Sequence, residues 1–329
     1  MVLSMTLPAW HPAALSARLP HLRRRARLAA ETRAWFAARG YLEIETPSLV
    51  PCPGMEPHLE VFETRYVPKL GEGEQRLFLR TSPEFALKKL LAGGVGRCFE
   101  LARVWRNGEV SEKHAPEFTM LEFYAPGMGL DGLMDETEAF CAAMLGWQAP
   151  AARLSVAAAF ARFAGVADLL AVADDRAALA SAAGVRLREC ETWQDLFFRL
   201  MGERVEPALE AGGVPAFLHS WPAREAALAR RSSVDPRVAE RVELYAAGVE
   251  LANGFVELTD AAEQRARFED WREERRALGG TDQGFDEDFL TALETMPESA
   301  GIAIGFDRVA MLASGADSIE EVLWLPVVG

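Results

Sequence analysis

Apolar and small residues recur at helical spacing over residues 14–39, where Leu22, Leu28, Ala29, Thr32, Trp35 and Phe36 share one side and Gly40 supplies a stop. An extended segment from Tyr41 to Val50 follows and runs into prolines. Between Arg76 and Phe123 the pattern becomes short apolar runs, Leu77 to Leu79, Val95 to Val104 and Phe118 to Tyr124, separated by polar loops. With a helix over Pro83–Ala92 between them, these runs predict a sheet with helices laid against it. Residues 131–211 are rich in Ala, Leu and Arg and lack turn signals until Gly184 and Gly202, which predicts a mostly helical layer or insertion. Strand-like runs return over Val249–Val256 and Ala300–Ala310, the second passing into a helix near Arg308. The expected class is α+β, an antiparallel sheet flanked by helices and closed by C-terminal strands. No internal repeat, low-complexity tract or long linker interrupts the chain, so residues 1–329 read as a single domain.

Half of the 329 residues are hydrophobic, enough for a sizeable core. No apolar run approaches the length of a membrane span, and Met1 to Pro20 carries Pro8, His11 and Pro20 in place of a signal pattern. These features predict a soluble, cytoplasmic protein that does not engage a membrane. Cys52, Cys98, Cys141 and Cys190 are widely spaced without a Cys-x-x-Cys pair, as reduced isolated thiols would be. A net charge of −14 argues against a broad nucleic-acid surface, which needs Lys and Arg to neutralise phosphates. Arg18, Arg23, Arg24, Arg25 and Arg27 form a local exception; they fit either a solvated or subunit-facing helix or a docking patch for a macromolecule.

Four stretches carry chemistry. The first is Gly40-Tyr41-Leu42-Glu43-Ile44-Glu45-Thr46-Pro47. The second is Arg106-Asn107-Gly108-Glu109 followed by His114-Ala115-Pro116-Glu117-Phe118-Thr119-Met120-Leu121-Glu122-Phe123-Tyr124. The third, Glu250-Leu251-Ala252-Asn253-Gly254-Phe255-Val256-Glu257-Leu258, puts two carboxylates seven residues apart on one strand. Simple alternation cannot turn both to one side, so a bend or bulge at Asn253-Gly254 is expected to bring them together. The fourth is Gly301-Ile302-Ala303-Ile304-Gly305-Phe306-Asp307-Arg308, a strand-to-helix junction.

Together these stretches resemble the signature motifs of class II aminoacyl-tRNA synthetases, and specifically their lysine branch, over nearly the whole chain. The resemblance implies that the first stretch is motif 1, with Pro47 at a dimer interface, and hence a homodimer. It implies an adenylation site for ATP and Mg2+. Arg106 would stabilise the α-phosphate as a carboxylate attacks it, because a guanidinium fork offsets the meeting of like charges. Phe118 would stack on adenine, His114 would lie near the terminal phosphates, and Arg308 would pair with the γ-phosphate. Asn107, Gly108, Ala115, Leu251, Asn253 and Gly305 complete the implied ATP site, with Gly305 small enough for close approach. Glu250 and Glu257 would be the metal pair. The family usually has Glu where Gly108 stands and often Asn where Ala115 stands, so the chain departs from the pattern in this loop.

Lysine as substrate is implied by Glu122 and Tyr124 and by Ser82-Pro83-Glu84, which resemble lysine-recognising positions. A long ammonium side chain needs a desolvated carboxylate at the pocket floor, since a cation buried unpaired is prohibitive. Glu122 would supply it beside Tyr124, Glu84 would hold the other amine, and Glu257 would also reach substrate. Motif 1 begins near residue 40, leaving no room for the N-terminal anticodon-binding barrel of a full lysyl-tRNA synthetase. The chain is therefore most similar to the elongation factor P lysine ligase family, truncated paralogues of that enzyme. This implies activation of lysine or (R)-β-lysine and transfer to a lysine of elongation factor P, with no transfer RNA involved. Ala303 stands where the synthetases have glycine and the ligase family alanine, and one methyl group can discriminate substrates by about 10- to 200-fold. A related ligase with another acceptor, or a non-catalytic regulatory paralogue, are the rival readings.

Overall fold

The structure is a computed structural model that describes residues 7–69, 71 and 73–327. Helix α1 (Pro12–Ala37) starts with Pro12, whose missing N–H is no loss in the first turn, and with His11 accepting from the Ala13 amide. The predicted extended segment breaks into β1 (Leu42–Glu43) and β2 (Leu49–Val50), followed by β3 (Glu63–Tyr66), β4 (Gln75–Leu79) and α2 (Glu84–Ala92). Next come β5 (Cys98–Trp105), β6 (Glu117–Pro126) and α3 (Leu130–Leu145). The segment expected to be helical, residues 131–211, holds nearly all of α3 together with α4 (Val156–Ala159), α5 (Arg176–Ala183), α6 (Trp193–Leu200) and α7 (Glu206–Ala211), but a strand, β7 (Ala152–Ser155), interrupts it. The chain then forms β8 (Ala216–Pro222), β9 (Val238–Ala246), β10 (Val249–Val256), α8 (Ala261–Ala277), α9 (Glu287–Leu293), β11 (Ser299–Gly305) and α10 (Phe306–Ser314).

Eight strands make one sheet in the order β1-β5-β6-β11-β10-β9-β8-β7, while β2, β4 and β3 form a small second sheet. All neighbours in the large sheet are antiparallel except the parallel edge pairs β1 with β5 and β7 with β8. The fold is thus α+β with a mostly antiparallel sheet flanked by helices. Period-two alternation divides each central strand between two faces. Leu121, Phe123 and Ala125 of β6 pack with Ile302 and Ile304 of β11 and with Leu28, Phe36, Phe140 and Val309 from α1, α3 and α10. The intervening Met120, Glu122 and Tyr124 face the opposite side, where Ala303 pairs with Glu122 and Gly301 with Tyr124. A Cβ at Gly301 would stand 2.2 Å from the Tyr124 ring, so only glycine lets that tyrosine lie flat across the strand. The helical segment packs its own cluster, including Phe160, Phe197 and Leu200, against Leu218 and Trp221 of β8.

The arginine-rich stretch of α1 divides by depth. Arg25 points inward, donating from Nε (3.1 Å) and Nη2 (2.5 Å) to Asp307 Oδ1 and from Nη2 to Thr119 Oγ1 at 2.8 Å. Arg18 donates to the carbonyls of Leu323, Glu320 and Ala9, tying the two chain ends together. Arg24 donates to Glu31 and to the Met144 carbonyl. Neither reading of the cluster as one solvent- or partner-facing patch holds for Arg25, because its charge is buried against a single aspartate.

Removing one partner of a buried ion pair strands the other, at about 3–5 kcal/mol. Arg25→Ala is expected to lower the unfolding free energy by about that amount in urea denaturation. A loss below about 1 kcal/mol would show that Asp307 does not depend on Arg25.

Candidate active site

The face of the sheet opposite α1 forms the floor of a cleft of about 900 Å3, including its open mouth. Arg106, His114, Ala115, Phe118, Glu250, Leu251, Asn253, Ala303, Gly305 and Arg308 all line it, together with Ser82 and Glu84. The second, third and fourth stretches therefore converge because β6, β11 and β10 are adjacent strands and the loop after β5 folds over their ends, while the first stretch stays outside, with Glu45, Thr46 and Pro47 lining a neighbouring cavity. Arg106 sits over Phe118, its guanidinium carbon 5.4 Å from the ring centre, so cation and aromatic face are presented side by side. Gly108 adopts φ +79°, a backbone state that side-chain-bearing residues resist, which gives a local reason for glycine in this turn. Asn107 ties the turn down by its amide, which donates to the Glu60 carbonyl at 2.9 Å.

At the other end of the cleft Arg308 leaves the first turn of α10. Its Nη1 donates to the Glu250 carbonyl at 2.6 Å and its Nη2 to His114 Nε2 at 2.6 Å. Accepting there leaves the His114 proton on Nδ1, which lies 2.7 Å from Ser111 Oγ. Burial and then the neighbouring Arg308 hold the imidazole pKa below its ordinary value, so it stays neutral. Two arginines and a neutral histidine thus line one cleft, with Glu109 4.0 Å from Arg106, and the two guanidinium groups are the kind of donors that bind a polyphosphate.

Below the cleft lies a cluster of buried acids. Glu122 accepts from the Tyr124 hydroxyl at 2.6 Å and from Ser82 Oγ at 2.8 Å. Glu84 Oε1 and Glu257 Oε2 each lie 2.5 Å from Lys88 Nζ, and the lysine side chain is 1 % exposed. Burial pushes Glu122 up to about 7, aided by Glu84. Burial also lifts Glu257 to about 8 although Lys88 opposes the shift, and it raises Glu84 against the same opposition. Burial alone would depress Lys88, but Glu257 and Glu84 drive its pKa upward, so the ammonium is retained. Pro83 is the buried N-cap of α2 and faces a neighbouring cavity that shares Glu56, Ser82 and Glu84 with the cleft.

The expected metal pair does not assemble. The strand does bulge, but between Glu250 and Ala252, opposite Tyr245 and Leu244, and not at Asn253-Gly254. The extra residue, Leu251, returns Glu250 to the face shared by Asn253, Phe255 and Glu257, yet Glu257 lies beyond the far end of β10 and pairs with Lys88. Two other acids feel Glu250: Glu206, and Glu243 of β9, which pairs across the strands with Asn253 and whose pKa burial lifts to about 7, Arg241 opposing and Glu250 adding to the rise. Glu243 itself accepts from Arg241 and from the Tyr245 hydroxyl. Among the described residues no three or more His, Cys, Asp or Glu side chains gather as a metal site. A divalent ion at Glu250 would therefore depend on phosphate oxygens for most of its ligands.

The sequence reading missed Lys88, Glu243 and Asp307. Lys88 had a signal, the Glu84 to Lys88 spacing of one helical turn, but such pairs are usually solvated. Glu243 and Asp307 had none, since each acts through residues of another strand or helix.

With this geometry in place, comparison with known proteins assigns the class. The family model for tRNA synthetases class II (D, K and N) matches residues 16–329, and the chain belongs to that family. Within it, the chain is 42% identical over 320 residues to the elongation factor P–(R)-β-lysine ligase of Salmonella paratyphi B, covering 95% of this chain and 96% of the relative. It is 43% identical over 323 residues to the protein of that description from Klebsiella pneumoniae, with the same coverage.

The raised carboxylates set a pH dependence. Between the ordinary value of 4.5 and about 7 to 8, folded Glu122 and Glu257 retain protons that the unfolded chain has released. Stability of the ligand-free protein should therefore fall as pH rises through that window and level off above it. A diammonium ligand needs the ionised acids, so the stabilisation it confers should grow over the same window. Thermal melting from pH 5 to 9, with and without a diamino acid, checks both slopes; flat curves would show that Glu122 and Glu257 ionise as they do in water.

Proposed function

We propose that this chain is an ATP-dependent ligase that activates (R)-β-lysine as an aminoacyl-adenylate and transfers it to a lysine side chain of elongation factor P. The observation that carries the reading is the placement of three buried carboxylates, with only one resident ammonium, directly below a cleft lined by two arginines. Fully ionised, Glu84, Glu122 and Glu257 exceed Lys88 by two negative charges. A diamino acid supplies two ammonium groups, and a buried charge imbalance of this kind is tolerable only when such a ligand offsets it. The named relatives act on (R)-β-lysine and elongation factor P by their descriptions, and they align over almost their whole length.

In the first step the amino acid's carboxylate oxygen bonds to the α-phosphorus of ATP and the bond to the β-phosphate oxygen breaks, releasing pyrophosphate. Arg106 would stabilise charge on the α-phosphate and Arg308 would take the γ-phosphate; binding there would displace His114 from its guanidinium. Mg2+ would accompany the phosphates, with Glu250 as the protein carboxylate within reach and Glu243 behind it. In the second step the acceptor lysine nitrogen bonds to the adenylate carbonyl, AMP leaves, and the amine's proton passes to solvent. Positioning and electrostatics suffice for both steps. Exposed Leu42 and Leu49 flank Pro47 and support a homodimer through this segment. The net charge of −14 favours a protein acceptor over transfer RNA and agrees with a cytoplasmic ligase. No helix among the described residues is long and apolar enough to cross a membrane.

ATP–pyrophosphate exchange with (R)-β-lysine, α-lysine, aspartate and no amino acid tests the proposal. Exchange selective for β-lysine is expected, followed by a mass increase on elongation factor P; no exchange with any amino acid would favour a binding-only protein. Arg106→Ala should lower exchange by at least about 100-fold, and near-normal exchange would remove its role. Ala303→Gly should raise α-lysine activation relative to β-lysine by about 10-fold, because the methyl group borders Glu122 and Asn253 on adjacent strands. An unchanged ratio would take Ala303 out of substrate choice.

A further inference from the structure

Five acids line the cleft: Glu56, Glu84, Glu109, Glu250 and Asp307. Three have a cation beside them, Lys88 for Glu84, Arg106 for Glu109 and Arg25 for Asp307. The carboxylates of Glu56 and Glu250 make no hydrogen bond or ion pair among the described residues, and Glu250 belongs to the phosphate end, where its carbonyl accepts from Arg308. Glu56 is left with neither a partner nor a part in the two steps above. It stands at the acidic end, bordering both the cleft and the neighbouring cavity together with Ser82 and Glu84.

Glu56 is not a freely solvated side chain. It is half-buried in the loop between β2 and β3, and its backbone is held from outside that loop. Arg275 of α8, only 4 % exposed, donates from Nη2 to the Glu56 carbonyl at 2.5 Å and to the Leu59 carbonyl at 2.9 Å. The carboxylate folds back over Gly54, whose φ of +149° disfavours a side chain, and a Cβ there would stand 2.8 Å from Glu56 Oε2. Glycine at this point leaves room for the acid. Burial raises the Glu84 pKa and Lys88 opposes the rise, but the negative charge of Glu56 adds to it, so the two acids feel each other at this end of the cleft. Carboxylates so placed are relieved by a cation that both can reach.

Adenylation brings the amino acid's carboxylate to the α-phosphate beside Arg106. The backbone-side ammonium sits on the first or second carbon after that carboxylate, so it is held within the cleft and met by the acids that line it. Glu56 and Glu84 line the cleft; Glu122 and Glu257 do not.

We propose that Glu56 is a substrate-recognition residue: its carboxylate reaches from the β2–β3 loop to the backbone-side ammonium of the diamino acid and shares that ammonium with Glu84. This rests on the reading of the cleft as a diamino-acid-activating site.

The test compares (R)-β-lysine with 6-aminohexanoic acid, the same chain without the backbone-side amine, in pyrophosphate exchange by wild type and Glu56→Gln. If 6-aminohexanoic acid is not activated, its inhibition constant against β-lysine is read instead. Glu56→Gln removes the charge and keeps the shape, and thermal melting should be unchanged because the carboxylate has no partner to lose. KM for β-lysine should rise by about 10-fold or more, while KM for ATP and the constant for 6-aminohexanoic acid stay within about twofold. Equal losses for both amino acids, a parallel loss for ATP, or no loss for β-lysine would overturn the proposal. If Glu56→Gln does not fold, Glu56→Ala is read by the same comparison. A wild-type protein that activates no diamino acid would instead remove the reading of the site on which the proposal rests.

Discussion

Both oxygens of Asp307 are committed, one to the Arg25 guanidinium and the other to the Thr119 amide at 2.8 Å. That one carboxylate joins α1, β6 and α10, and residues adjacent in sequence line the cleft: Phe118 beside Thr119, and Arg308 beside Asp307 itself. A buried ion pair between two elements and a backbone amide of a third meet here. If the aspartate lost its guanidinium, α1 would lose its ionic tie to the start of α10, and Asp307 would keep only the Thr119 amide.

The sheet then presents two kinds of chemistry on one face. Near the ends of β6 and β11 the cleft is basic and aromatic; deeper along the same strands it is acidic. The separation follows from register. Met120, Glu122 and Tyr124 alternate with core residues on β6, and their cross-strand partners Gly305, Ala303 and Gly301 are small, leaving the strand surface open to a ligand. A ligand with a polyphosphate at one end and ammonium groups at the other is matched lengthwise by this gradient. The acids remain buried because Lys88, Tyr124 and Ser82 each satisfy part of them, and the deficit that remains is what a cationic substrate would meet.

Much of this was legible from residue patterns. Helix α1, helix α2, the strands at the second and fourth motifs and the junction into α10 follow from periodicity, within a few residues at their ends. The need for a bulge between Glu250 and Glu257 also followed from counting. Its location did not, because a bulge is placed by pairing with β9, and β9 showed no motif of its own. The metal pair failed for the same reason: acids along one strand are separated by its rise, whereas Glu250 and Glu243 approach across a hairpin. Arg25 looked like a member of a surface cluster since nothing local distinguishes it from Arg23 or Arg24.

The sequence by itself determined the α+β class and the four chemistry-bearing stretches, because these depend on residue types and local spacing. Tertiary structure decided which charges are buried and which meet: Arg25 with Asp307, Lys88 between Glu84 and Glu257, Glu250 beside Glu243. The physical reason is that the energy of a charge depends on its solvent exposure and its nearest opposite charge, and both are properties of packing between elements distant in the chain.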